Sequence, residues 1–267
     1  MATAQMNFLS MKLGMQTNVS VFLPSYVPSP DTAGLPFSEL YPAGERFPTL
    51  WLLGTETGDD GEWLRESAVL RLARKYGLAV VFPCGFEKLY SDDPRGQKFT
   101  AYITEELYAV CTGTFPLSRR REDNIIGGAS LGAYAALKCA LRAPERFGGA
   151  VMLGGAYEKR IAEGYFPALR SEMAGSGLVP PLALDDAPAE DAELIAAPGK
   201  PKPSVWLGRA ADSPLAPFAE RAAANLRADG FRVLADRVYP GAEDWDFRDA
   251  ALSDALADLA KQRKEGV

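Results

Sequence analysis

Short apolar runs alternate with amphipathic segments along most of this 267-residue chain, and this alternation constrains the fold more than any other feature. The apolar and alternating runs predict strands at residues 18–23, 49–53, 78–82, 124–126, 149–153, 204–207 and 232–239. The amphipathic segments predict helices at residues 62–76, 102–111, 131–142, 217–228 and 249–263. Such a succession indicates an α/β fold with a mainly parallel sheet and helices on both faces.

One segment interrupts the alternation. Residues 156–200 are irregular and rich in proline, alanine and acidic residues, and we expect them to form a small cap over the carboxyl edge of the sheet. The chain length suits a single domain over residues 1–267. In sheets of this kind, sites lie in loops that follow the strands. The loops that do so here are predicted at 54–61, 127–131, 208–215 and 240–245.

The charge and the distribution of apolar residues argue against several partners and cellular locations. The net charge is −6 and the pI about 5.0, with no long basic run, which argues against a nucleic-acid partner. The first residues, MATAQMNFLSMKL, lack the charged and apolar regions of a signal peptide. Since no apolar stretch approaches the length of a membrane span, we predict a cytoplasmic protein without a membrane partner. The sequence leaves a homo-oligomer open.

The chain contains no histidine, which limits its chemistry. Without imidazole, no side chain has an unperturbed pKa near neutrality, and histidine-based metal sites are excluded. The spacing of Cys84, Cys111 and Cys139 matches no metal motif. We therefore expect neither a metal nor an organic cofactor.

The motif G-x-S-x-G occurs between a predicted strand and a predicted helix, at residues 128–132. In this context the small flanking residues allow a sharp turn that exposes a nucleophilic hydroxyl, here that of Ser130. The N–H of Leu131 would then point at a developing oxyanion. The alternative is a tight strand–helix turn that merely requires small residues.

The sequence around this motif resembles a known family. FPLSRRREDNIIGGASLGAYAALKCALRAPERF is similar to the nucleophile region of the esterase D and tributyrin-esterase group, which is related to the mycolyltransferase antigens. LGMQTNVSVFLP, WLLGTETGDDGEWL, YGLAVVFP, YITEEL and PGAEDWDF also resemble segments of that group, so the similarity covers nearly the whole chain. It implies the α/β-hydrolase fold and ester hydrolysis or acyl transfer by a Ser, Asp, His triad.

The resemblance also implies roles for individual residues. Ser130 matches the nucleophile, and Asp212 matches the acid with a spacing about one residue too long. Where the family has a motif resembling P-G-G-H-D-W, this chain reads PGAEDW, so Glu243 stands where the catalytic histidine is expected. Thr55, in the oxyanion loop, is expected to supply a second N–H or simply to shape that loop.

Two further residues are candidates for contacts with a substrate. Glu56 lies in the acidic loop after the strand at 49–53, where a carboxylate could contact substrate or simply be solvated. Trp245 follows the PGAEDW motif and either lines the pocket or serves as a buried aromatic anchor.

The replacement at position 243 decides the chemistry. A serine needs a base to take its proton, and an ordinary glutamate is a weak base at neutral pH. If Asp212 lies beside Glu243, one of the two pKa values should rise. Glu243 could then act as a base, as tuned glutamates do in other enzymes. The alternative is a surface Glu243 paired with a cation such as Arg209.

Three functions remain open from the sequence. The first is a serine esterase-like hydrolase that acts on a small carboxylic ester with Glu243 in place of the usual base and with weak activity. The second is a catalytically silent protein that binds an apolar ligand or a partner in the same pocket. The third is a non-hydrolytic reaction, such as proton transfer or a lyase step, on the same scaffold.

Overall fold

The computed structural model describes residues 2–24, 30–56, 58–85, 90, 92, 96–155, 157 and 199–264. Within these ranges an eight-stranded sheet carries helices on both faces. This confirms the predicted α/β-hydrolase architecture. The predicted cap at 156–200 falls outside the described residues, apart from Tyr157 and residues 199–200.

The sheet is parallel except at one edge. Its strands are β1 (Ala2–Ser10), β2 (Met15–Leu23), β3 (Thr49–Leu53), β4 (Ala79–Pro83), β5 (Asn124–Ala129), β6 (Gly149–Leu153), β7 (Ser204–Ala210) and β8 (Val233–Tyr239). Their order is β1-β2-β4-β3-β5-β6-β7-β8. β1 pairs antiparallel with β2 and β2 with β4, whereas all other neighbours are parallel.

The helices connect these strands. They are α1 (Phe37–Leu40), α2 (Glu62–Glu66), α3 (Val69–Tyr76), α4 (Phe99–Ala101), α5 (Tyr108–Thr114), α6 (Leu131–Arg142), α7 (Ala216–Ala228) and α8 (Trp245–Lys264). A π-helical stretch, Tyr102–Leu107, joins α4 to α5, and short 3₁₀ turns form at Pro30–Thr32 and Arg121–Asp123. None of the helices in the described ranges is long and apolar enough to cross a bilayer.

The prediction of one helix over 62–76 is wrong, because the segment breaks between α2 and α3. Ser67 adopts an extended conformation, with φ −125° and ψ 166°. Its hydroxyl donates to the Trp63 carbonyl at 2.7 Å, and the N–H of Ala68 donates to the Asp249 carboxylate at 2.9 Å. These side-chain partners replace the helical bonds that the break removes. Gly77 ends α3 with φ 64°, as expected of a left-handed C-cap.

Two apolar layers cover the sheet. Successive residues of β3 point to opposite faces, so that Trp51 belongs to one layer and Leu52 to the other. The first layer lies under α6 and the π-helical stretch, and the second lies under α3 and α8. The sheet between them fixes where each strand ends, and the parallel strands deliver their loops to a common edge.

Candidate active site

The loop between β5 and α6 holds Ser130 in a strained conformation. Its φ of 55° and ψ of −117° are rare for a residue with a side chain. The Ser130 N–H donates to the Leu153 carbonyl of β6 at 3.2 Å, and the residue is 5% exposed. Leu131 begins α6, so its N–H belongs to the first turn, which has no intrahelical partner. These are the features of a nucleophile elbow.

The two glycines of the motif are required by close packing. A Cβ on Gly128 would lie 2.3 Å from the Gly132 carbonyl oxygen. A Cβ on Gly132 would lie 2.3 Å from the carbonyl oxygen of Gly54. The first turn of α6 therefore sits directly against the chain that leaves β3. This contact explains why the motif needs small residues and brings the predicted oxyanion loop to Ser130.

Glu243 reaches the same region from the loop after β8. It is half-buried, and its carboxylate accepts a hydrogen bond from the Ser213 hydroxyl at 2.7 Å. A Cβ on Gly154 would lie 2.6 Å from the Glu243 carboxyl carbon, and a Cβ on Gly155 would lie 2.8 Å from the Ser130 carbonyl oxygen. The two glycines after β6 thus separate Glu243 from the backbone of Ser130. Both residues lie at one edge of the sheet, as the sequence predicts.

The environment of Glu243 makes it a stronger base than an ordinary glutamate. Burial of the carboxyl raises its pKa, and the nearby Glu56 carboxylate acts in the same direction. The Ser213 hydroxyl, the charge of Arg248 and a hydrogen bond from the Gly155 N–H oppose this rise without cancelling it. Desolvation is therefore the main cause of the shift.

The contact with Glu243 that we expect of Asp212 is made by a different residue. Asp212 is exposed, with its backbone N–H bonded to the Gly241 carbonyl at 3.0 Å. Its neighbour Ser213 points inward and binds Glu243 instead. The sequence spacing did not identify Ser213, because a spacing about one residue too long for Asp212 after the strand favours position 211 and not position 213. The alternative partner for Glu243, Arg209, forms its ion pair with Asp236.

Thr55 requires a similar correction, because its N–H is already engaged. That N–H donates to Glu62 Oε2 at 2.9 Å, and the Thr55 hydroxyl donates to Glu62 Oε1 at 2.5 Å. Thr55 and Glu62 are both buried, so the pair fixes the loop after β3. Within the described residues, the next N–H along the chain, that of Glu56, makes no backbone hydrogen bond. No periodicity in the sequence pointed to Glu62 as the partner.

Two charged side chains near Glu243 carry buried polar atoms without hydrogen-bond partners among the described residues. These atoms are Glu56 Oε2 and Arg248 Nε. Both side chains act on the pKa of Glu243 through their charges. Burial of such atoms costs free energy unless a ligand or solvent satisfies them, which makes both side chains candidates for contacts with a ligand. Glu56 was a candidate from the sequence, whereas Arg248 was not.

The Trp245 ring packs against other side chains of the chain. Its ring makes an edge-on contact with Trp63 at a centroid distance of 5.0 Å, and the Arg248 guanidinium lies 4.6 Å from its centroid. The aromatic anchor role is therefore present, and the same ring holds Arg248 beside Glu243. Another residue that the sequence did not suggest is Tyr157, whose buried hydroxyl donates to the Gly154 carbonyl.

The part of the chain that the structure describes contains no group of three or more Cys, Asp or Glu residues arranged to hold a metal ion. The site consists of a hydroxyl, carboxylates, a guanidinium and the N-terminus of α6.

The fold and this elbow define an α/β hydrolase. Residues 10–214 match the family described as "Putative esterase". The chain therefore belongs to this esterase family.

A curated relative agrees with this assignment. An acetyl esterase of Caldicellulosiruptor saccharolyticus is 32% identical over 157 residues, which cover 58% of this chain and 57% of the relative. The match thus spans just over half the length of that curated relative.

Solved structures show the same fold over nearly the whole chain. A substrate-bound fluorophosphonate-binding serine hydrolase F of Staphylococcus aureus has a TM-score of 0.72 at 23% identity, covering 97% of this chain and 98% of the other. An S-formylglutathione hydrolase from Staphylococcus aureus has a TM-score of 0.71 at 22% identity, with the same coverage.

Proposed function

We propose that this chain hydrolyses small carboxylic esters with Ser130 as the nucleophile. The observation that carries the proposal is the strained backbone of Ser130 at the N-terminus of α6. Such strain is kept where the surrounding structure holds a reactive group in place. Membership of the esterase family and the similarity to an acetyl esterase support a short acyl group as the substrate.

In the proposed reaction, Ser130 Oγ attacks the ester carbonyl carbon and its proton passes to the Glu243 carboxylate. The carbonyl oxygen becomes an oxyanion, which the N–H groups of Leu131 and Glu56 stabilise. We assign the second donor to Glu56 because the Thr55 N–H is bonded to Glu62. The tetrahedral intermediate expels the alcohol, which takes the proton from Glu243. Water then hydrolyses the acyl-enzyme by the same route in reverse.

In this proposal Glu243 replaces the usual histidine, and Ser213 replaces the acid that orients it. The raised pKa of Glu243 supports its role as a base. Within the described residues, the hydroxyl that donates to its carboxylate is that of Ser213 and not that of Ser130. Proton transfer then needs a movement of Glu243 or a bridging water. We therefore expect slower turnover than a Ser, His, Asp triad supports.

Hydrolysis of p-nitrophenyl acetate tests this proposal. We expect Ser130→Ala to abolish enzyme-dependent hydrolysis, and Glu243→Gln, which keeps the shape but cannot accept a proton, to lower kcat about 100-fold or more. An exposed glutamate on α7 provides the matched control, Glu220→Gln, which should leave kcat unchanged. We further expect wild-type kcat to rise with pH as Glu243 ionises.

Two outcomes would contradict parts of the proposal. Hydrolysis that survives Ser130→Ala would exclude Ser130 as the nucleophile. An inert wild type together with an active Glu243→His variant would show that Glu243 is no base and that the site has lost its chemistry. Labelling by a fluorophosphonate supplies a second measurement, because it reports whether Ser130 is activated by a base without requiring hydrolysis of the acyl-enzyme.

A further inference from the structure

A cavity lies at the opposite end of the sheet from Ser130. It has a volume of about 600 Å³ and is lined at the amino ends of β5, β6 and β7 by Ile125, Gly149 and Ser204. Ser130 follows the far end of β5, so the strand separates the two regions by roughly 15 Å at 3.3 Å per residue. The cavity therefore forms no part of the ester site, and its volume is in the range typical of small-molecule sites.

The acidic side chains at this cavity are already neutralised. Glu122 pairs with Arg120 at 2.6 Å, and Asp123 pairs with Arg263 at 3.2 Å. Both guanidinium groups also line the cavity, so these four residues together contribute no net charge.

Three further cations line the cavity, and their described partners are uncharged. The guanidinium of Arg121 donates to the carbonyl oxygens of Pro144 at 2.6 Å and Lys202 at 3.0 Å. The ammonium of Lys202 donates to the Asp229 carbonyl. Arg232 is exposed, and its side chain makes no hydrogen bond or ion pair with the described residues. Three positive charges thus converge in a chain whose net charge is −6.

This arrangement resembles what an anion-binding site requires. Carbonyl partners orient Arg121 without consuming its charge, so the remaining guanidinium donors stay available to a ligand. A net positive concavity on an acidic protein also concentrates small anions. Gln262 and Ser204 add neutral polar groups to the lining.

We infer that this cavity binds a small, multiply charged anion, such as a pyrophosphate or a tricarboxylate. The inference does not depend on the proposed esterase activity, because none of the residues that carry it belongs to the ester site. Arg121, Lys202 and Arg232 supply the charge, and the cavity volume accommodates a ligand larger than a single sulfate.

Isothermal titration of the full chain with inorganic pyrophosphate, and separately with citrate, tests the inference. We expect binding that weakens as NaCl is raised, because the cations are partly solvated. Arg232→Ala should lower the affinity for whichever of the two ligands binds more tightly about tenfold. This is the effect expected from the loss of one charge-assisted contact. Arg74→Ala, which removes an exposed arginine from α3 on another part of the surface, should change the affinity less than twofold.

The two probes distinguish the sources of the anion, since preference for pyrophosphate indicates a phosphorylated ligand and preference for citrate indicates a polycarboxylate. Absence of binding of both at millimolar concentrations would overturn the inference. Equal affinities in the Arg232→Ala and Arg74→Ala variants would also overturn it, because binding would then reflect general surface charge. Thermal unfolding supplies a second measurement. We expect the ligand to raise the unfolding midpoint only in proteins that retain Arg232.

Discussion

At the scale of single residues, burial of Glu243 makes its ionised form costly in the folded protein. The raised pKa means that the folded state binds more protons than the unfolded state between the usual glutamate pKa and the folded value. Stability therefore falls as pH rises through that window, and the penalty remains in full above it.

We expect Glu243→Gln to raise the free energy of unfolding at about pH 8, since the variant buries no charge there. The difference should shrink as pH falls and disappear below about pH 3, where wild-type Glu243 is protonated in both states. Urea unfolding of both proteins across this range measures the effect. The exposed Glu220→Gln substitution should show no such pH dependence. A variant that is less stable than wild type at high pH would indicate that Ser213 and Gly155 outweigh desolvation.

Some of these residues could be predicted from the sequence and others could not. Ser130 and Leu131 follow from motif spacing, because the strand–turn–helix geometry fixes both. The Thr55–Glu62 contact depends on how far one carboxylate reaches within a folded loop, which spacing does not encode. Ser213, and not Asp212, contacts Glu243, which is a difference of one position after β7. A shift of one position is enough to reverse which side chain faces inward.

At the scale of elements, α6 and the loop after β3 are held together by a contact that leaves no room for a side chain. We expect Gly132→Ala to destabilise the protein by about 1–3 kcal/mol, because its Cβ would meet the Gly54 carbonyl oxygen at 2.3 Å. The displaced loop carries the proposed oxyanion donor of Glu56, so kcat for p-nitrophenyl acetate should fall as well. Urea unfolding and steady-state kinetics measure the two effects.

A second helical glycine provides the control for this substitution. A Cβ on Gly113 in α5 would meet nothing within 4 Å, so Gly113→Ala should stabilise the chain by about 0.5–1 kcal/mol through helix propensity. Its kcat should remain unchanged. If Gly132→Ala left both stability and kcat intact, the packing of α6 against the loop would not be what positions the oxyanion site.

The elements themselves were largely predictable, because burial on both faces leaves a clear apolar run in the sequence. β3, α6 and β6 have the predicted bounds. β1 was not predicted, because as an edge strand it alternates exposed and half-buried residues without a strong apolar signal. The break between α2 and α3 was missed because the amphipathic pattern continues across Ser67, where side-chain hydrogen bonds end the helix.

At the scale of the whole molecule, the two apolar layers share one sheet and should unfold together. Cys111 and Cys139 are buried in the layer under α6, and Leu256 of α8 is 2% exposed in the other layer. Burial raises the pKa of each thiol to about 12, so these cysteines hardly react while the protein is folded. Their reactivity therefore reports unfolding of the layer that does not contain Leu256.

We expect Leu256→Ala to lower the free energy of unfolding by about 2–5 kcal/mol through loss of buried contacts and creation of a cavity. Because the layers share the sheet, the urea midpoint measured by reactivity of the buried thiols should fall as far as the midpoint measured by tryptophan fluorescence. Val238→Ala, at a residue 55% exposed on β8, should shift both midpoints little. Thiol protection that persisted in Leu256→Ala after the fluorescence transition would mean that the layer around α6, with Ser130 at its edge, unfolds independently of α8.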